Sequence, residues 1–143
     1  MQPVSFEQWQ TIRAATIPAI LVVDLWASWC VPCLERFPEM IRMSREYRNQ
    51  GVEFVSLSLD DRDDPEGIAF ANEFLHKNKP PFANYFLDED IIDGFEKIGI
   101  LGIPTVDIYA RDGTRAYRLT GDNPNAQFTE EDVENALTTL LAR

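Results

Sequence analysis

The run Ile20-Leu21-Val22-Val23-Asp24-Leu25-Trp26, followed a few residues later by Trp29-Cys30-Val31-Pro32-Cys33, constrains this chain more than any other feature. An almost continuous apolar stretch describes a strand buried on both faces, which belongs in the middle of a sheet covered by helices. Pro32 suits the first turn of a helix, where its missing N–H has no partner to lose. A strand that feeds such a helix leaves Cys30 at the helix tip, near unpaired N–H groups and the positive end of the helix dipole. Both favour a thiolate. Cys33, one turn further in, is expected to be more buried and to stay protonated until it attacks. The two are the only cysteines in the chain, and the short spacer places a resolving sulfur beside an accessible nucleophilic one. Thiol chemistry is the expectation.

The flanking segments complete an α/β pattern. Ser5-x-x-Gln8 reads as a capping box, with Val4 and Trp9 as its hydrophobic staple, for a helix from Phe6 to about Ala15 that Ile17-Pro18 ends. A long helix from about Cys30 to Asn49 directs Leu34, Phe37, Ile41 and Tyr47 to the sheet, bends at Pro38 and is capped by Gly51. Val52 to Leu59 is a second central strand. Asp64-Pro65 then supplies the cap and first residue of a helix reaching about Lys77, which Pro80-Pro81 stops. A strand near Ala83–Leu87, a helix near Glu89–Ile98 closed by Gly99, and a hairpin of Ile103–Ala110 with Thr114–Thr120 around Arg111-Asp112-Gly113 follow. Thr129 caps a last helix to about Leu141. Helices on both faces of a mixed sheet are expected, without repeat or interdomain linker.

Composition narrows the function. At 143 residues and 45% apolar content the chain can bury a core without disulfides or metal. Thirteen Lys and Arg against 24 Asp and Glu give a formal charge of −11, which argues against nucleic acid or an anionic membrane as partner. Both cysteines lie in the motif, so cysteine count does not reveal the redox compartment. Met1 to Thr16 has neither a basic n-region nor an apolar h-region, and no transmembrane segment is expected. An extracytoplasmic or periplasmic protein with a removed leader and a cytoplasmic one both stay open.

Beyond these readings the chain resembles a known family. VVDLWASWCVPCLERFP is similar to the active-site region of thioredoxin-fold proteins, and DEDIIDGFEKIGILGIPTVDIYARDGTRAYRLTG is similar to the second half of the TlpA/ResA-like thiol-disulfide oxidoreductases. The resemblance covers roughly residues 5 to 142. Its separate pieces agree in order: Trp29 before the CxxC, Asp24 upstream, Pro38 downstream, and a distant Ile103-Pro104-Thr105. It implies a thioredoxin-like three-layer α/β/α sandwich over residues 1–143 as a single domain, with a TlpA-type central insertion at roughly 60–88. Cys30, Cys33 and Asp24 would be catalytic, Asp24 as proton acceptor for the resolving cysteine, its pKa raised by burial in an apolar strand. The Ile103–Pro104 bond would be cis and face the sulfurs, offering the Ile103 backbone to an extended substrate. Trp29 and Pro32 would complete an apolar rim, with Trp26 in the core. No cofactor is implied beyond the Cys30–Cys33 couple. Partners would be protein disulfide substrates and an upstream thiol reductant, acting on a monomer.

One departure stands out. TlpA/ResA-like proteins commonly carry a glutamate three residues after the second cysteine, where this chain has Arg36; Glu35 lies about 100° away around the helix and cannot substitute. Arg36 reads as an exposed helix residue. Asp60-Asp61-Arg62-Asp63-Asp64 lacks the glycine turn and distal glutamate of a calcium loop and reads as a solvated loop. The CxxC lacks two further zinc ligands, and His76 reads as a surface residue. A peroxiredoxin pattern is missing. The rival class is a binding module that uses the groove beside Pro104 without turnover.

Overall fold

Alternation inside the continuous apolar run decides the architecture. The computed structural model describes all residues from Met1 to Arg143, and strand β2 (Ile20–Trp26) is buried along its whole length. Its side chains alternate between faces as strand geometry requires. Ile20 and Val22 enter one core cluster and Leu21, Val23 and Leu25 another. Each cluster needs its own helical cover, so the sheet is sandwiched.

The cover on the first face is helix α2 (Val31–Tyr47) with helix α5 (Glu130–Leu141), whose Met40, Met43, Val133, Leu137 and Leu140 pack with Ile20 and Val22. The second face receives α1 (Phe6–Ala14) through Trp9, and α4 (Ile91–Ile98) through Phe95 and Ile98. Helix α3 (Pro65–Asn78) packs Ala71 and Leu75 against Trp26 and Phe37. Strands β1 (Gln2–Val4), β3 (Val52–Ser58), β4 (Ala83–Leu87), β5 (Thr105–Tyr109) and β6 (Arg115–Thr120) complete a six-stranded sheet of order β1-β4-β3-β2-β5-β6. β1, β4, β3 and β2 pair in parallel, β5 pairs antiparallel with β2, and β6 pairs antiparallel with β5. The segment between β3 and α4, with helix α3 and strand β4, is the insertion expected near 60–88.

Local signals explain most boundaries. The Ser5/Gln8 capping box forms with both of its hydrogen bonds, and Val4 and Trp9 are buried in the same cluster. Asp64 caps α3 through the Gly67 N–H. Gly51 and Gly99 close their helices at φ 79° and 83°, a region in which a side chain is strained. Helix α2 passes through Pro38 as one uninterrupted element and finishes in a 3-10 turn at Arg48–Gln50. Strand β1 is the element the sequence reading lacks; three residues pair with β4 across more than eighty positions.

Candidate active site

Cys30 is the N-cap residue of α2. Its extended backbone (φ −100°, ψ 96°) ends the loop from β2, and its Sγ accepts the Cys33 N–H at 3.3 Å. Pro32 occupies the first turn, as expected. The two sulfurs are joined as a disulfide with Cα atoms 5.3 Å apart. A sulfur anion formed at Cys30 on reduction would therefore find a helix N-terminus and a directed N–H already in place. Cys33 is 2% exposed and Cys30 5%. The order of burial is as expected, but Cys30 is less open than a freely accessible nucleophile would be, because Trp26, Phe37 and the half-buried Leu34 and Ile103 close around the pair. The sequence neighbours of Cys30 are open to solvent: Trp29 is 53% exposed and Val31 60%, and Pro32 is also exposed.

The Ile103–Pro104 peptide is cis. Thr105 begins β5 opposite Leu25, which brings the proline to the end of β2 from which the cysteine loop departs. Ile103 packs against the cluster that contains both cysteines. Neither its N–H nor its C=O takes part in an internal backbone hydrogen bond. The turn is held from behind. Gly121 donates to the Pro104 carbonyl at 2.7 Å, and a Cβ at Gly121 would lie 2.9 Å from Pro104 Cγ. Leu101, two residues before Ile103, is 92% exposed. Leu101 and Val31 are exposed apolar residues next to the two motifs that the sequence analysis did not single out, because an aliphatic side chain carries no pattern of its own.

Asp24 lies on β2 between Ser56 of β3 and Val106 of β5, on the same side as Trp26. It is buried, and burial pushes its pKa from 3.8 up to about 7, against a smaller lowering by the Arg36 guanidinium. Arg36 corrects the sequence reading. It is half-buried, with its guanidinium carbon 4.3 Å over the ring of buried Phe128 and Nη1 enclosed without a hydrogen-bond partner. Phe128 lies 92 positions further along, so helix position alone could not reveal the stack.

Asp60 is the second correction. Of the acidic run only this residue is buried, and its carboxylate accepts the Ser28 N–H, the Ser28 hydroxyl and the Ser58 hydroxyl. Leu59 N–H also donates to the Trp26 carbonyl at 2.7 Å. Together these bonds tie the loop preceding Trp29-Cys30 to the end of β3. Ser58 lies two residues before Asp60, but Ser28 lies 32 positions earlier, so the expectation of a solvated Asp60 fails on a partner that the local sequence does not reveal. His76 is exposed, as expected. No group of three or more potential metal ligands forms, and no helix is long and apolar enough to cross a membrane.

A disulfide at a helix tip, together with a cis-proline just before an antiparallel strand of a mixed sheet, defines the thioredoxin class of folds. The chain belongs to the thioredoxin-like family, whose pattern matches residues 18–114. Among curated proteins it is similar to the thiol-disulfide oxidoreductase ResA of Bacillus thuringiensis subsp. konkukian, 28% identical over 76% of this chain and 58% of ResA. It is also similar to the thiol:disulfide interchange protein CycY of Rhizobium leguminosarum bv. viciae, 26% identical over 82% of this chain and 63% of CycY. The chain thus spans less than two thirds of the length of either relative. Among solved structures, a DsbE-type thiol:disulfide interchange protein from Chlorobium tepidum superposes with a TM-score of 0.72 at 26% identity, covering 89% of this chain and 83% of that one. A secreted disulfide oxidoreductase of Mycobacterium tuberculosis shares the fold at a TM-score of 0.68 and 21% identity, over 89% of this chain and 86% of that one.

Proposed function

We propose that residues 1–143 act as one thioredoxin-like domain that reduces disulfides in protein substrates through the Cys30–Cys33 couple. The observation that carries this reading is the pairing of the two sulfurs at the N-terminus of α2, with the Cys33 N–H directed at Cys30 Sγ.

In the dithiol form the Cys30 thiolate attacks one sulfur of a substrate disulfide. The substrate S–S bond breaks, its other sulfur leaves as a thiolate, and a mixed disulfide with Cys30 forms. Cys33 then gives its proton to the Asp24 carboxylate and attacks Cys30 Sγ. The mixed disulfide breaks, the second substrate sulfur departs and is protonated, and the Cys30–Cys33 disulfide is left. Two electrons have passed to the substrate, and an external thiol reductant must return them. A base with a pKa near 7 is suited to accept a proton at neutral pH and release it again. The Ile103 backbone would pair with the extended substrate next to its disulfide, over an apolar rim of Trp29, Pro32 and Pro104. No histidine lies between the cysteines, which favours the reducing direction over a strongly oxidising one.

Dithiothreitol-dependent reduction of insulin tests the reading. The chain should accelerate precipitation of the insulin B chain, and Cys30→Ser should abolish the acceleration. A wild-type chain without turnover that still retains the substrate would overturn the proposal in favour of a binding module.

A further inference from the structure

On the sheet face away from the cysteines, α1, α4 and the β5–β6 hairpin leave a hollow of about 280 Å³. Val23 and Leu25 lie beneath it, and Arg13, Lys97, Arg115 and Arg118 line it. Four of the thirteen cationic side chains of a protein with formal charge −11 therefore converge from three separate elements. Bringing like charges together is unfavourable unless opposite charge answers them.

Two of the four are answered within the chain. Buried Asp107 accepts Arg118 Nε at 2.7 Å and Nη2 at 2.8 Å, and Arg118 also donates to the carbonyls of Gly99 and Ile98. Lys97 pairs with Glu89 at 3.3 Å. The other two are not. Arg13 lies 4.5 Å over the Tyr109 ring and donates only to neutral groups, the Gly113 carbonyl and the Gln10 amide oxygen. Arg115 takes part in none of the chain's ion pairs. Two uncompensated cations, one of them oriented by an aromatic face, thus border a hollow whose half-exposed Phe6 and Ile98 add apolar surface. The volume falls just below the usual range of about 300–1,000 Å³ for ligand pockets, which suits a molecule smaller than a nucleotide.

We propose that this hollow binds a small organic anion, a carboxylate of single-ring size, with its charged end drawn to Arg13 and Arg115 and its apolar body against Phe6 and Ile98. The site is separate from the sulfur chemistry and does not depend on it.

Amide NMR titration of the oxidised chain with phthalate at low ionic strength tests the proposal, with neutral phthalamide and inorganic phosphate as comparisons. Phthalate should give saturable shifts centred on Phe6, Arg13, Ile98, Tyr109 and Arg115, weakening as salt is added. Phthalamide should bind about tenfold more weakly, and Arg115→Gln, which breaks no internal bond, should weaken phthalate about 5-fold while leaving distant resonances in place. Absence of saturation, equal affinity for phthalamide, or an unaffected Arg115→Gln variant would overturn the site. Inorganic phosphate binding as tightly as phthalate would overturn its organic character.

Discussion

Replacing Asp24 with asparagine should stabilise this protein, and the gain should grow with pH. Burial raises the Asp24 pKa from 3.8 to about 7. A carboxyl shifted upward in the folded chain keeps its proton there across that window, while the unfolded chain has already lost it. Folded protein then binds more protons than unfolded, so stability falls as pH rises through the window and reaches its floor above about 7. The shift of about three units corresponds to about 4 kcal/mol at about 1.36 kcal/mol per unit. Asparagine cannot ionise and has no such term. Urea unfolding of the oxidised wild type and Asp24→Asn at a series of pH values should therefore give curves that diverge. Their difference should be constant below about pH 4 and increase by up to about 4 kcal/mol by pH 8, or on the order of 10 °C in Tm. Because other groups titrate alike in both proteins, the difference isolates Asp24. A difference that does not vary between pH 4 and 8 would refute a buried, proton-holding carboxyl, and with it the assignment of Asp24 as a base matched to neutral pH.

Other consequences can be checked in the same way. Arg36→Met removes the cation that opposes the burial effect on Asp24, so a carbon-13 titration of the Asp24 carboxyl should show its pKa moving up; a fall or no change would contradict the coupling. Asp60→Ala leaves the Ser28 and Ser58 donors without their acceptor, and should cost about 3 kcal/mol in urea unfolding and expose the Ala27–Trp29 loop to proteolysis. A loss below about 1 kcal/mol would show that the network is dispensable. Gly121→Ala places a Cβ 2.9 Å from Pro104 Cγ and 3.0 Å from its carbonyl oxygen. It should destabilise by about 1–3 kcal/mol and slow insulin reduction by displacing the cis-proline turn; unchanged stability and rate would argue against close support of that turn.

What could be read in the sequence was local or strongly patterned. The apolar run became the central strand, Ser5, Asp64 and Thr129 became caps, and Asp24 became a buried acid because every neighbour in its strand is apolar. What escaped was set by distance along the chain. Three-residue β1 has no periodicity to detect and exists only through pairing with β4. Asp60 is indistinguishable from its acidic neighbours until Ser28, 32 positions earlier, is brought to it. Arg36 has the character of an exposed helical arginine until Phe128 folds beneath it. The hollow beneath the β5–β6 hairpin likewise collects residues 13, 97, 115 and 118, none of which forms a motif with another.

The central claim is that the Cys30 and Cys33 sulfurs interconvert reversibly between dithiol and disulfide in the folded protein. An equilibrium titration against graded ratios of reduced and oxidised dithiothreitol, with thiols trapped by alkylation and counted by mass, measures this directly. A single two-electron transition in which both sulfurs react together, at a potential in the range of protein disulfide reductants near about −270 mV, is the predicted result. A pair that stays oxidised throughout, or two cysteines that are alkylated independently without a shared midpoint, would contradict it.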